Sequence, residues 1–255
     1  MDLKPLPALI FLSIAIAGYA QNISTNKHSY EYQMVRLDST YDSKIDRKLQ
    51  QYVDKKRHRM ERKMQEVIYR TDAELESYPP ESPLSNLLTD ILRTGAPKYT
   101  KDTAFDTIDV AVLNFGGIRT SMPAGDVTVG DIYKISPFDN YITYILLKGS
   151  ELRKMLGRFT QTFNAPYSGA VVTYAEGRPS GIMVRGKPID DSKYYRIATL
   201  NFISDGGDNI MTGIKFDKTE HTTITFRDFL IAELKALTAA GKQMPAATDG
   251  RAVNF

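Results

Sequence analysis

The chain is 255 residues long, 42% hydrophobic and 25% charged, with a formal net charge of +3. That length holds one large domain or two small ones around a real core, and so small a charge surplus makes no case for a nucleic-acid partner. Cysteine is absent, which excludes disulfides, thiolate metal sites and a lipid-accepting cysteine.

The first 20 residues read as a secretory signal peptide. Lys4 precedes an apolar run over residues 9–17 broken only by Ser13, and the small residues Gly18 and Ala20 set the cut between Ala20 and Gln21. The run is too short to span a membrane, and no other stretch is long enough. The expectation is an exported chain, periplasmic or secreted, with no membrane contact after cleavage. Residues 21–43 are polar, and Tyr30, Tyr32 and Met34 alternate ahead of Leu37, which predicts a tail and one edge strand.

The main domain is expected over residues 44–255. Ile45, Leu49, Tyr52, Val53, Met60, Met64, Val67 and Ile68 recur at helical spacing and predict an amphipathic helix over 44–66. Its basic run, Lys55-Lys56-Arg57-His58-Arg59, reads as a solvated face, with phosphate or lipid contact as the alternative. Tyr78-Pro79-Pro80 breaks the chain. Ser82 before Pro83 is an N-cap with proline at the first helical position, and Leu84, Leu87, Leu88, Ile91 and Leu92 form the stripe of a helix ending near Gly95-Ala96-Pro97. Residues 109–113 read as a buried strand, Thr128 as the cap of a short helix to Tyr133, and residues 141–147 as a strand. Ser150 is expected to cap a helix carrying Leu152, Met155, Leu156 and Phe159. Strands follow at 170–174 and 181–184 about a turn at Gly177-Arg178-Pro179-Ser180, then at 195–200, and residues 226–237 form a final amphipathic helix. Helices and strands do not alternate strictly, so the fold class is α+β rather than a doubly wound sheet.

The three histidines, His28, His58 and His221, fall on the tail, a charged helix and a loop, in no arrangement suited to catalytic zinc. There is no Gly-x-Ser-x-Gly elbow, Walker A loop or dinucleotide fingerprint. Two glycine pairs remain, each directly after a strand: Asn114-Phe115-Gly116-Gly117-Ile118-Arg119 and Asn201-Phe202-Ile203-Ser204-Asp205-Gly206-Gly207-Asp208. Such pairs let a ligand approach the main chain, and Asn114, Arg119, Asn201 and Asp208 supply groups that recognise polar ligands. Taken singly, each pair also reads as an ordinary turn, and Asp205-Gly206-Gly207-Asp208 is too sparse for calcium. A third segment, Ser136-Pro137-Phe138-Asp139-Asn140, puts an aromatic ring in polar company. Phe138 and Phe202 suit a pair stacking on a planar ligand, each worth about 1–3 kcal/mol, or else plug the core as phenylalanine commonly does.

In this order and spacing, Asn114-x-Gly116-Gly117-Ile118-Arg119, Pro137-Phe138-x-Asn140, Leu147-Lys148-Gly149 and Asn201-Phe202-x-x-x-Gly206-Gly207-Asp208 resemble the C-terminal domain of 5′-nucleotidases. Val127-Thr128-Val129-Gly130-Asp131 and the closing helix from Thr225 fit the same pattern, which covers roughly residues 40–240. The resemblance implies a single domain with a mixed sheet and flanking helices, binding the nucleoside part of a nucleotide. Phe138 and Phe202 then stack on the base, and Asn140 reaches its edge. Asp208 accepts from the ribose hydroxyls, and Asn114 and Arg119 line the ribose and phosphate side. Gly116, Gly117 and Gly207 allow close approach to the backbone. In that family two metal ions on a separate N-terminal metallophosphatase domain cleave the phosphate, and the histidine motifs of that domain do not occur here. No cofactor is therefore expected in this chain, hydrolysis is not expected of it alone, and divalent metals are expected on a separate metallophosphatase partner. Tyr78-Pro79-Pro80 also stands where relatives tend to carry an arginine, and residues 81–86 depart from the usual Asn-x-Gly-Asn. The reading reached is the recognition subunit of a split 5′-nucleotidase-type phosphohydrolase; the alternative is a stand-alone exported nucleoside- or nucleotide-binding protein.

Overall fold

The computed structural model describes residues 31–36, 38–40 and 46–255. The expected signal peptide lies outside these residues. The chain separates into two units, residues 1–51 and 52–255. In the first unit, residues 31–36 have no regular structure, so the edge strand expected near Tyr32 and Met34 does not form there. Both side chains are about nine-tenths exposed, at 90% and 92%. Alternation makes a strand only when a neighbouring strand takes its hydrogen bonds. The helix α1 (Arg47–Met64) lies within the span expected for it, yet none of its residues is buried. Spacing sets out an apolar face but does not ensure that anything covers it.

The second unit then runs β1 (Val67–Thr71), α2 (Pro83–Gly95), β2 (Val110–Val112), β3 (Gly125–Thr128), α3 (Val129–Ile135), β4 (Tyr141–Lys148), α4 (Gly149–Leu156), β5 (Tyr167–Ser168), β6 (Ala170–Ala175) and β7 (Arg178–Val184). It continues with β8 (Lys187–Pro188), β9 (Tyr194–Leu200), the single-turn α5 (Asn201–Ser204), β10 (Lys218–Thr225), α6 (Phe226–Ala239) and β11 (Ala252–Val253). The start of α2 is held by the Ser82 N–H donating to Ser85 Oγ at 3.1 Å. Its stripe is fully used: Leu84, Leu87, Leu88, Ile91 and Leu92 are all buried, each worth about 1.5–3 kcal/mol. Helix α4 begins at Gly149 with Lys148 as its cap residue, ahead of the expected Ser150. The β6–β7 turn is tighter than expected. Glu176 and Gly177 take positive φ, of 51° and 72°, and Arg178, Pro179 and Ser180 already belong to β7.

A five-stranded mixed sheet has the order β10-β4-β9-β2-β5, beside a four-stranded sheet β11-β6-β7-β8 and the pair β1-β3. The larger sheet explains why distant segments meet. Strands β2 and β9 are parallel neighbours, with Val110 opposite Ile197 and Ala111 opposite Ala198, so both exit at the same end. Strand β4 is antiparallel to β9, with Ile142 opposite Leu200, so it enters where the other two leave. Strand β10 is antiparallel to β4 and ends with Thr225 opposite Tyr141, which delivers the start of α6 to that end as well. The Thr199 hydroxyl donates to the Val112 carbonyl at 2.9 Å and joins the two exit strands just below the loops.

Candidate functional site

Three loops meet at this end of the sheet. After β2, residues Phe115–Gly117 form a 3-10 turn, closed by Gly117 N–H to Asn114 O at 3.1 Å and Ile118 N–H to Phe115 O at 3.0 Å. The Arg119 N–H donates to the Ile135 carbonyl at the end of α3, at 2.9 Å, and its guanidinium donates to Gly116 O at 3.1 Å. After β9, the chain makes one turn of α5 and then a 3-10 turn at Gly207–Asn209. Asp208 and Asn209 there adopt left-handed φ of 52° and 56°, which their short polar side chains tolerate better than most. The loop before β4 is tied at both sides: Tyr141 N–H donates to Asn201 Oδ1 at 2.7 Å, and Phe226 N–H donates to Asn140 O at 2.8 Å.

Eight of the nine residues singled out in the sequence border one cleft of about 290 Å³. Asn114, Gly116, Gly117 and Arg119 come from the first loop, Phe138 and Asn140 from the loop before β4, and Phe202 and Asp208 from the segment after β9. The ninth, Gly207, stands behind Phe202: a Cβ on it would come within 2.4 Å of the ring. Glycine at this position is what lets the ring sit there.

Phe138 and Phe202 are 45% and 41% exposed, so neither ring is buried in the core. Neither ring packs on another aromatic side chain among the described residues. Asn114 is buried and donates through Nδ2 to Asp208 Oδ2 at 2.6 Å, which fixes the carboxylate against the first loop. Asn114 Oδ1 has no hydrogen-bond partner; it lies where a Cβ on Gly117 would meet it at 2.6 Å. Two exposed flat rings, an anchored carboxylate, a guanidinium and the Asn140 amide thus share one small cleft. Such a wall suits a planar heterocycle that carries hydroxyls and an anionic group.

Tyr78 borders a different cleft, of about 440 Å³, together with Thr120 and Ser121, and Arg119 lines both clefts. His58 lies on α1 beside Glu61, at 3.3 Å, and His221 is in β10 rather than a loop, its Nδ1 3.0 Å from Thr143 Oγ1. Among the described residues no group of three or more His, Asp or Glu side chains is placed to hold a metal ion. No sequence signal points to Arg227, which grips the Phe138 loop from α6. Its Nη1 donates to Pro137 O at 2.9 Å and its Nη2 to Asp139 Oδ1 at 2.5 Å.

Residues 65–215 match the family model described as 5′-nucleotidase, C-terminal domain. The match takes in more than half of the chain, which therefore belongs to that family. Among curated relatives it is similar to Protein UshA of Yersinia enterocolitica, 40% identical over 111 residues, covering 39% of this chain and 19% of that protein. Protein UshA of Escherichia coli is 37% identical over 107 residues, with the same coverage of 39% and 19%. The alignments thus span about a fifth of those relatives' length. Among solved structures, the 5′-nucleotidase precursor from Thermus thermophilus superposes with a TM-score of 0.63 at 26% identity, covering 78% of this chain and 41% of that one. The NAD nucleotidase of Haemophilus influenzae shares the fold, with a TM-score of 0.61 at 19% identity, covering 88% of this chain and 46% of that one.

Proposed function

We propose that this chain recognises the nucleoside portion of a nucleotide on behalf of a 5′-nucleotidase-type phosphohydrolase acting in nucleotide catabolism. In this reading the divalent metals and the cleavage of the phosphate belong to a separate metallophosphatase polypeptide, and the chain is exported through its N-terminal signal peptide. The observation that carries the reading is the single cleft in which Phe138, Phe202, Asp208 and Arg119 meet, drawn from three loops far apart in sequence. Family membership supports the ligand class. The roles follow from chemistry. The rings hold the flat base, Asp208 accepts from the ribose diol, Arg119 faces the anionic side, and Asn140 reaches the base edge. No helix among the described residues is long and apolar enough to cross a membrane.

Calorimetric titration with the four ribonucleosides and their 5′-monophosphates tests the binding role. Phe138→Ala and Phe202→Ala are each expected to weaken binding by about 5- to 150-fold, the equivalent of about 1–3 kcal/mol for one stacking face. Absence of binding to all eight compounds removes the recognition role. Mixing the chain with a metallophosphatase domain that lacks its own recognition domain, in the presence of a divalent metal, tests the split-enzyme part. Hydrolysis of a nucleotide above the sum of the two alone is expected, and no gain on mixing contradicts it.

A further inference from the structure

The loop that carries Phe138 has little structure of its own, yet its position sets the gap across which Phe138 faces the rest of the cleft. Three bonds from the first two residues of α6 hold it. Phe226 N–H donates to Asn140 O at 2.8 Å, and Arg227 donates to Pro137 O at 2.9 Å and to Asp139 Oδ1 at 2.5 Å. The guanidinium thus bonds the residue on each side of Phe138. It also lies 4.4 Å from the centre of the Tyr133 ring on α3, and its side chain is mostly buried. A cation in the first turn of a helix runs against the helix dipole, and its Nε makes no hydrogen bond. The helix dipole therefore gives no reason for a cation at this position. The loop contacts do. Asp139 is the acidic partner, Asp228 is the acidic neighbour on the same helix, and Tyr133 closes the other side of the guanidinium.

We infer that Arg227 is a positioning residue for ligand stacking: it clamps residues 137 and 139 so that the Phe138 ring stays aligned with the cleft wall bearing Phe202. This rests on the nucleoside-binding reading of the cleft. A forked, planar cation makes both bonds from separate nitrogens while lying on the Tyr133 face; the lysine ammonium carries its three donors on a single nitrogen and lacks that fixed fork. Releasing the loop leaves Phe138 present but free to turn away, so binding falls through stacking and not through the ribose contacts.

The test is a double-mutant cycle read by calorimetry with adenosine. Arg227→Met is expected to raise Kd about tenfold in the wild-type background, within the range of one stacking face, and less than twofold where Phe138→Ala has already removed the ring. Arg227→Lys is expected to recover part of the loss. A Kd for Arg227→Met within twofold of wild type, or a full loss repeated in the Phe138→Ala background, overturns the inference. Hydrogen exchange on the ligand-free protein gives a reading that needs no nucleoside and that Arg227→Lys serves if Arg227→Met does not fold. The amides of Tyr141 and Phe226, which tie the loop to Asn201 Oδ1 and through Asn140 O, are expected to exchange at least fivefold faster than in wild type, with those of β9 unchanged. Unaltered exchange at these two amides overturns the clamp. Failure of the wild type to bind any ribonucleoside instead removes the reading of the cleft, with the loop exchange still reporting on the clamp.

Discussion

Gly207→Ala isolates the geometry of the Phe202 ring. Gly207 is not among the glycines with positive φ, so alanine meets no backbone penalty of its own there. The obstacle is space. A Cβ at this position falls 2.4 Å from one ring carbon of Phe202, 2.5 Å from the next and 2.5 Å from the Phe202 carbonyl oxygen. Carbon atoms in contact sit about 3.5–4.0 Å apart, so the overlap requires relief of about 1 Å or more. The ring is half-exposed and gives way toward the cleft, while the carbonyl can move only with the backbone that carries Asp208. Overpacking of this kind costs about 1–3 kcal/mol of stability, which a domain holding about 5–15 kcal/mol survives folded. Loss of one stacking face corresponds to about a 5- to 150-fold increase in Kd. Calorimetry with adenosine, alongside a thermal melt, measures both. A folded Gly207→Ala protein that binds within twofold of wild type would refute the placement of Phe202 as a wall of the ligand site.

Asp208→Asn keeps the shape of the side chain and the approach to Asn114 but removes the anionic acceptor, and is expected to raise the Kd for adenosine about tenfold while leaving 2′,3′-dideoxyadenosine nearly unaffected. An equal loss for both ligands contradicts the diol role. Thr128→Ala removes the cap of α3, where Asp131 N–H donates to Thr128 Oγ1 at 3.2 Å and the Thr128 N–H returns to Asp131 Oδ2 at 3.0 Å; denaturant unfolding should show a loss of about 0.5–2 kcal/mol. Burial pushes the Asp131 carboxyl up, but the bonds from Thr128 and Lys134 outweigh it and hold the group below the usual carboxylate range. Its stabilising contribution is therefore complete above the unfolded-state pKa and disappears as pH falls through the folded one. The stability gap between wild type and Asp131→Asn should close below about pH 4 and stay constant from neutral pH down to about pH 5.

The parts of the fold legible in the sequence are those whose signal is local. Leu84 to Leu92 in α2 and the short apolar runs of β2 and β9 show burial directly, and the glycine pairs mark the turns that follow the two strands. Phe138 and Phe202 stand out because large rings in polar loops need a reason to be there. Strand β10 escapes a reading by pattern because Lys218, Thr219, Glu220 and His221 carry no apolar alternation; as an edge strand it bonds β4 on one side only and buries none of its residues. Strands β1 and β3 are short and pair only with each other, too little pattern to read. The α1 stripe shows the reverse error, since Leu49, Tyr52 and Met60 are spaced as a buried face and remain exposed. Arg227 is invisible in the sequence for a different reason. Its role exists only because β10 lies against β4 and delivers the start of α6 to the Phe138 loop, a relation no single stretch of sequence contains.

A crystal structure of the protein grown with adenosine measures the central proposal most directly. The account predicts the base lying between the Phe138 and Phe202 rings, with the ribose hydroxyls within hydrogen-bond distance of Asp208 and the 5′ carbon directed toward Arg119. Adenosine bound elsewhere, or with its base off both rings, contradicts it.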